Sequence, residues 1–122
     1  MEDVLKGLRT CEYSCENYEL DHWADIQRGY ITKENIQQSS YEYMYLRDLG
    51  DNLETLLKSG KYSDKEIAYK TKEYLDRMYS NFQKNSQKSI KTKKKATMLK
   101  QEAFNVVYDI LDDLLSNSGY TF

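Results

Sequence analysis

The sequence predicts an all-α protein, folded as an antiparallel four-helix bundle with up-down-up-down connections. The chain of 122 residues has no proline and only five glycines, so few positions interrupt a helix. A hydrophobic content of 39% beside 31% charged residues suits helices with one apolar stripe each. Four segments show such stripes, and the short connections between them favour antiparallel neighbours. We therefore expect residues 1-122 to form a single helical domain.

The first segment carries an apolar seam near the N-terminus. Its members step by four, three, four, three and four positions, which keeps them on one side of a helix: Val4, Leu8, Cys11, Cys15, Tyr18 and His22. Gly29 is the expected stop, because glycine adopts the left-handed conformation at a helix end without strain. This predicts one continuous helix up to Arg28.

The second segment begins at Thr32, whose side chain can cap a helix, and runs to Lys58 before Gly60. Gly50 lies inside it and allows the helix to bend or divide there. The tyrosines at 41, 43 and 45 alternate as they would on a strand, whereas the leucines that follow have helical spacing. A helix is the favoured interpretation of residues 41-45, and a strand stays open as the alternative.

The third segment starts with a capping box, in which Ser63 and Glu66 are three residues apart. Its apolar face continues to Phe82. The fourth segment shows its pattern from Met98 onward and has the widest apolar face of the four. We expect this last helix to be the most buried.

Both cysteines and the only histidine lie in the first segment, which raises the question of a metal or redox site. On a helix the Cβ atoms of Cys11 and Cys15 would be about 5–6 Å apart, whereas a disulfide needs about 3.5–4.5 Å. His22 lies about 10 Å further along the axis, too far for one zinc ion to bind both ends. Glu19 and His22 form one Glu-x-x-His motif, but a di-iron site needs two. Packing is the favoured interpretation, with no metal and no cofactor.

Catalysis is not expected either. A serine, cysteine or threonine nucleophile usually needs a partnered base, and His22 belongs to no such motif. No glycine pair has the spacing of a phosphate-binding loop. The sequence therefore predicts a protein that is not an enzyme.

Charge is distributed unevenly along the chain. Residues 77-101 contain eight basic residues and no acidic one, while the remainder has 10 basic and 20 acidic residues. In the predicted topology one tip is basic and the other holds Glu2, Asp3, Asp112 and Asp113, which makes the molecule dipolar. The candidate electrostatic binding residues are the lysines of this basic segment: Lys84, Lys88, Lys91, Lys93, Lys94, Lys95 and Lys100.

These observations favour a non-catalytic protein that binds another protein with an acidic surface, as an inhibitor, adaptor or immunity-type factor of a phage or other mobile element. Tyr41 and Tyr45, one helical turn apart, are the candidate aromatic contacts, and packing in the core explains both residues equally well. The alternative is a nucleic-acid-binding accessory protein that uses the Lys84-Lys100 segment, although this segment has no aromatic residue to stack on bases. No membrane partner is expected, a cytoplasmic location is the default, and self-association into a homo-oligomer stays open.

Overall fold

A computed structural model describes residues 1–87 and 94–121, and within those ranges the chain is helical without a strand. The all-α class is therefore confirmed, and residues 41-45 are helical. The helices are α1 (Glu2–Glu16), α2 (Tyr18–Asp21), α3 (Trp23–Gln27), α4 (Lys33–Ser59), α5 (Asp64–Gln87) and α6 (Lys94–Asn117). Four of them are long, and two short ones follow α1.

The first segment is not one regular helix as predicted but is interrupted at Asn17 and His22. Backbone hydrogen bonds to the residue four positions earlier persist through both points, so these are kinks in a continuing helical path. At each kink a side chain contacts the carbonyl four positions back: Asn17 Nδ2 donates to Tyr13 at 3.0 Å and His22 Nδ1 lies 2.9 Å from the Tyr18 oxygen. Such local bonds compete with regular helix geometry and bend it.

The helix ends follow the predicted capping chemistry. Gly29 has a φ of 80°, and the following Tyr30 N–H bonds to the Asp25 carbonyl at 2.9 Å, which closes the last turn of α3. Thr32 caps α4 by accepting a bond from the Asn35 N–H, and the Asn35 side chain accepts one from the Thr32 N–H. Gly60, with a φ of 65°, ends α4.

Ser63 caps α5 as predicted. Its hydroxyl accepts a bond from the Glu66 N–H at 3.2 Å and also contacts the Glu66 carboxylate. Gly50 was expected to allow a bend or a division of the second helix, and α4 is not divided there. Close packing against α1 explains a glycine at position 50, because a Cβ there would lie 2.9 Å from the guanidinium of Arg9.

Side-chain pairs fix the helix directions. Arg9 of α1 pairs with Asp51 of α4, and Cys15 further along α1 lies beside Glu42 earlier in α4, so these helices are antiparallel. Helices α5 and α6 are also antiparallel, since Lys72 contacts Asp112 while Tyr79 bonds to Gln101. In contrast, α4 and α6 run parallel. Glu34, Tyr41 and Tyr45 of α4 contact, in that order, Lys95, Lys100 and Phe104 of α6.

The core is centred on the parallel pair α4 and α6. Helix α6 was expected to be the most buried, and it supplies five buried apolar side chains against three from α4. Helices α1 and α5 flank this pair and have no contact with each other in the described residues. The buried residues of the two central helices are Ser39, Leu46, Leu49, Gly50 and Leu53 on α4 and Ala103, Phe104, Val107, Leu111 and Leu115 on α6.

Candidate functional site

A polar cleft lies where α1 and α2 face the first turns of α4. It has a volume of about 330 Å³. Its α4 wall consists of Asn35, Gln38, Ser39 and Glu42, whose spacing places them on one side of the helix. The opposite wall is formed by Ser14, Cys15, Tyr18, Asp21 and His22. A second cleft of about 280 Å³ shares Cys15, Tyr18 and Ser39 with the first and adds Glu16 and Glu19.

Glu42 is a half-buried carboxylate without a basic partner among the described residues. Its Oε2 accepts a hydrogen bond from Gln38 Nε2 at 3.0 Å, and its Oε1 lies 3.9 Å from the Cys15 sulfur. Burial raises the pKa of Glu42 above its ordinary value, and the Gln38 bond only partly offsets this. Ionising Glu42 therefore costs more free energy in this cleft than it does in water, because the lost hydration is incompletely compensated.

Ser39 places a second uncompensated polar group at the same point. The side chain is only 6% exposed, and its hydroxyl has no hydrogen-bond partner of normal geometry in the described part of the chain. A buried hydroxyl left unpaired costs about 1–3 kcal/mol. Ser39 lines both clefts, so this hydroxyl lies in the wall that the two clefts share.

The thiol in the cleft is not poised for nucleophilic chemistry. Burial, and then the charge of Glu42, raise the pKa of Cys15 to about 11, although the nearby Ser39 hydroxyl partly opposes the shift. Burial also raises the pKa of Cys11. Both thiols are free. A protonated thiol is a weak nucleophile and a weak metal ligand, which agrees with the packing role expected for both residues.

His22 lies in the cleft with its ring stacked on Tyr18, at a centroid distance of 4.4 Å. Its Nδ1 is 2.9 Å from the Tyr18 carbonyl oxygen, which can only accept, so Nδ1 carries the proton. In the neutral ring this leaves Nε2 as an acceptor. Across residues 1–87 and 94–121, no group of three potential ligands is arranged to hold a metal ion.

The predicted basic segment is only partly described. Lys88, Lys91 and Lys93 lie outside the described residues. Of the others, Lys95 pairs with Glu34 at the start of α4, and Lys100 lies over the Tyr41 ring, 5.3 Å from its centroid. Lys84 and Lys94 are exposed. The start of α6 is thus next to the start of α4.

The two tyrosines proposed as aromatic contacts lie against other parts of the protein. Tyr45 stacks on Phe104 with ring centroids 4.0 Å apart, and burial raises its pKa to about 12. Tyr41 is half-buried and accepts a hydrogen bond from Gln37. Their role in binding a partner stays a prediction, but neither is among the strongly exposed aromatic residues.

Other aromatic and apolar side chains are exposed instead. Tyr13, Leu20 and Trp23 are 66%, 77% and 63% exposed. On a regular helix their spacing of seven and then three residues would return to the same side, and the kinks at Asn17 and His22 fall between them. We call these three residues the aromatic face. None of them belongs to the apolar seam of the first segment. The sequence signal for the aromatic face was therefore the presence of large apolar residues outside the apolar seam of the first segment.

Comparisons with protein-family models, with curated proteins and with solved structures found no match to this chain. None of the helices in the described ranges is long and apolar enough to cross a membrane. The candidate site consequently has to be interpreted from its own chemistry.

Proposed function

We propose that the protein acts without catalysis by binding another protein through the aromatic face of α1, α2 and α3. The observation that carries the proposal is the exposure of Tyr13, Leu20 and Trp23 within a short stretch of this path. Tyrosine and tryptophan supply most of the binding energy in many interfaces, because they bury a large rigid surface at small entropic cost. Exposed together, such residues are typical of a contact surface.

The charge around this face indicates what the partner offers. From Thr10 to Gln27 the chain has five carboxylates and no lysine or arginine. A partner with apolar pockets rimmed by basic residues would complement this surface and would be steered toward it. This differs from the acidic partner surface expected for the lysine segment, which stays a separate prediction.

The proposal is tested by affinity purification from cells that encode the protein, with wild type, Trp23→Ala and Met98→Ala as baits. Met98 is the matched control, because it is 61% exposed but lies on α6. We expect a stoichiometric protein that Met98→Ala retains and Trp23→Ala loses. Equal recovery by both variants, or no stoichiometric protein at all, contradicts the proposal.

Trp23 also gives a direct readout, since it is the only tryptophan in the chain. Binding at the aromatic face should shift its fluorescence emission to shorter wavelength and protect it from quenching by acrylamide. Leu20→Ala should weaken binding while leaving this reporter in place. An unchanged Trp23 spectrum in a formed complex would locate the interface elsewhere.

Nucleic-acid binding through the basic segment is the second candidate. It is less well supported because Lys95 and Lys100 already contact Glu34 and Tyr41. If it holds, retention on a DNA or RNA column should fall steeply between about 50 and 300 mM salt. Lys94→Glu should also weaken retention, and retention indifferent to salt excludes this candidate.

We further propose that the four long helices form one antiparallel bundle. The antiparallel pairs α1–α4 and α5–α6 support this arrangement, as does the parallel direction of α4 and α6. Double electron–electron resonance between spin labels on α1 and α5 tests it. A distance distribution broader than that of a folded domain would contradict a bundle.

A further inference from the structure

The polar cleft has a feature that the proposed function does not use, namely carboxylates without cations. Glu42 and Asp21 line the first cleft, and Glu16 and Glu19 line the second. Among the described residues that line either cleft there is no lysine or arginine. We propose that this cleft binds a cationic nitrogen group with N–H donors, that is, an ammonium or guanidinium group.

The other structural carboxylates of the protein show why Glu42 is unusual. Arg9 pairs with Glu12 and Asp51, and Lys72 pairs with Asp112. These carboxylates are matched by cations from within the chain, whereas Asp76 of α5 accepts a hydrogen bond from the Tyr108 hydroxyl of α6. Glu42 is half-buried and lines an open cleft, and among the described residues its hydrogen-bond contacts are with the Gln38 amide and the Cys15 thiol. A cation from outside the chain would complete the same pairing.

Hydrogen bonding indicates a donor-rich ligand rather than a bare charge. The Ser39 hydroxyl is buried beside the Cys15 thiol and has no hydrogen-bond partner of normal geometry among the described residues, and a hydroxyl can accept a bond. When the His22 ring carries a single proton, Nδ1 holds it and donates to the Tyr18 carbonyl, which leaves Nε2 as an acceptor. An ammonium group has three N–H donors and a guanidinium has five, so either can bond to several of these acceptors at once. The carboxylate of Glu42 would contribute charge-assisted bonds, which are the stronger kind.

The size and composition of the cleft narrow the ligand further. A volume of about 330 Å³ accommodates a group of a few heavy atoms with its alkyl chain. An anion would be repelled by Glu42 and Asp21. The ring of Tyr18, stacked on His22, offers an aromatic wall to a cation. The ammonium or guanidinium group can belong to a free small amine or to a lysine or arginine side chain of a polypeptide.

The proposal is independent of the aromatic face and is tested on the full chain by ¹H–¹⁵N correlation spectra. The first probe is n-butylammonium chloride, titrated to about 20 mM, a range that detects the millimolar affinity expected for so small a ligand. We expect the amide signals of Ser39, Glu42 and Tyr18 to shift in a saturable manner. Neutral n-butanol and tetramethylammonium, which lack the charge and the N–H donors respectively, are the control probes.

N-acetyl-lysine methylamide and N-acetyl-arginine methylamide then distinguish the two sources of the group. If they bind at least as tightly as n-butylammonium, the site accepts a polypeptide side chain; binding of n-butylammonium alone indicates a free amine. Absence of saturable shifts with all of these probes overturns the proposal. Equal shifts with n-butanol overturn it too, because the charge would then not be recognised.

Two isosteric Glu→Gln variants and one Ser→Ala variant complete the test. Glu42→Gln removes the proposed charge partner and should weaken n-butylammonium binding about tenfold or more. Glu102→Gln is the matched control, since it removes the same charge from an exposed position of α6 and should leave the affinity unchanged. Ser39→Ala should weaken binding less than Glu42→Gln. Circular dichroism confirms that each variant is folded, and an unchanged affinity in folded Glu42→Gln overturns the proposal.

Discussion

Helix α1 approaches α6 closely at Gly7, and replacing this glycine tests the packing directly. A Cβ at position 7 would lie 2.9 Å from Cδ1 and 3.2 Å from Cγ of Leu114, and closer still to Cδ2. The whole end of the leucine side chain is therefore in the way, and Leu114 itself packs against the core. Gly7→Ala sets two effects against each other. Alanine favours a helix by about 1 kcal/mol, whereas overpacking costs about 1–3 kcal/mol.

The expected net result is a decrease of about 1 kcal/mol in the free energy of unfolding. In a Leu114→Ala background the obstruction is gone, and the same substitution at Gly7 should increase the free energy of unfolding by about 1 kcal/mol. The two sites should therefore be coupled by about 2 kcal/mol, a normal value for residues in contact. The sign of the effect of Gly7→Ala reverses between the backgrounds.

Urea unfolding followed by circular dichroism at 222 nm measures all four members of this cycle. Leu114→Ala alone should be destabilised by about 2 kcal/mol or less, because the side chain is only partly buried. If Gly7→Ala stabilises the wild type as much as it stabilises Leu114→Ala, then α1 does not approach α6 at this point. The described packing of α1 would then be wrong.

Three further outcomes follow from single residues. The pKa of Cys15 is raised from 9.0 to about 11, which lowers the thiolate fraction about a hundredfold. Iodoacetamide at pH 8 should therefore modify this thiol about a hundredfold more slowly in the native protein than in urea. Equal rates would contradict the burial of Cys15. Burial raises the pKa of Glu42 in the folded protein above the ordinary glutamate value. As pH rises between these two pKa values, Glu42 loses its proton less readily in the folded protein than in the unfolded chain, so the free energy of unfolding decreases. Glu42→Gln should thus unfold at a higher temperature than wild type at pH 7, and thermal scans should show this difference vanishing near about pH 4. Gly60→Ala should lower the free energy of unfolding by about 1 kcal/mol in urea, since φ is 65° there, and no loss would argue against the left-handed helix end.

Much of the secondary structure was predictable, because helix ends are specified by residues close together in the sequence. The Thr32 and Ser63 caps and the glycine stops at Gly29 and Gly60 need only a side chain and a backbone group a few positions apart. The kink at Asn17 is also local, but it was missed. The spacing of apolar residues indicates which face of a helix is buried. It contains no information on whether a polar side chain will bond to a backbone carbonyl of the same helix and bend it.

The contacts between helices were less predictable. Short connections favoured antiparallel neighbours, and side-chain contacts run in opposite directions in the pairs α1–α4 and α5–α6. Connection length contains no information about helices that are not consecutive. The parallel contact of α4 with α6 depends on aromatic side chains such as Tyr45 and Phe104 meeting across the core. Tyr45 consequently looked like a surface contact from its position in a tyrosine-rich stretch. Gly50 likewise looked like a helix breaker until its neighbour on α1, Arg9, was known.

The polar cleft follows from a change of composition along two facing helices. On one side of α4, Leu53 and Leu46 form an apolar stripe. Toward the N-terminus of α4 the same side carries the polar residues Glu42, Ser39 and Asn35. The seam of the first segment changes in the same way, from valine and leucine to cysteine, tyrosine and histidine. Because α1 and α4 are antiparallel, the polar half of each stripe meets the polar half of the other. Apolar residues at these positions would remove the unpaired hydroxyl and the desolvated carboxylate and would stabilise the fold. Polar groups kept at such a cost are typical of binding sites, which is the physical reason to interpret this cleft as one rather than as a loosely packed end of the domain.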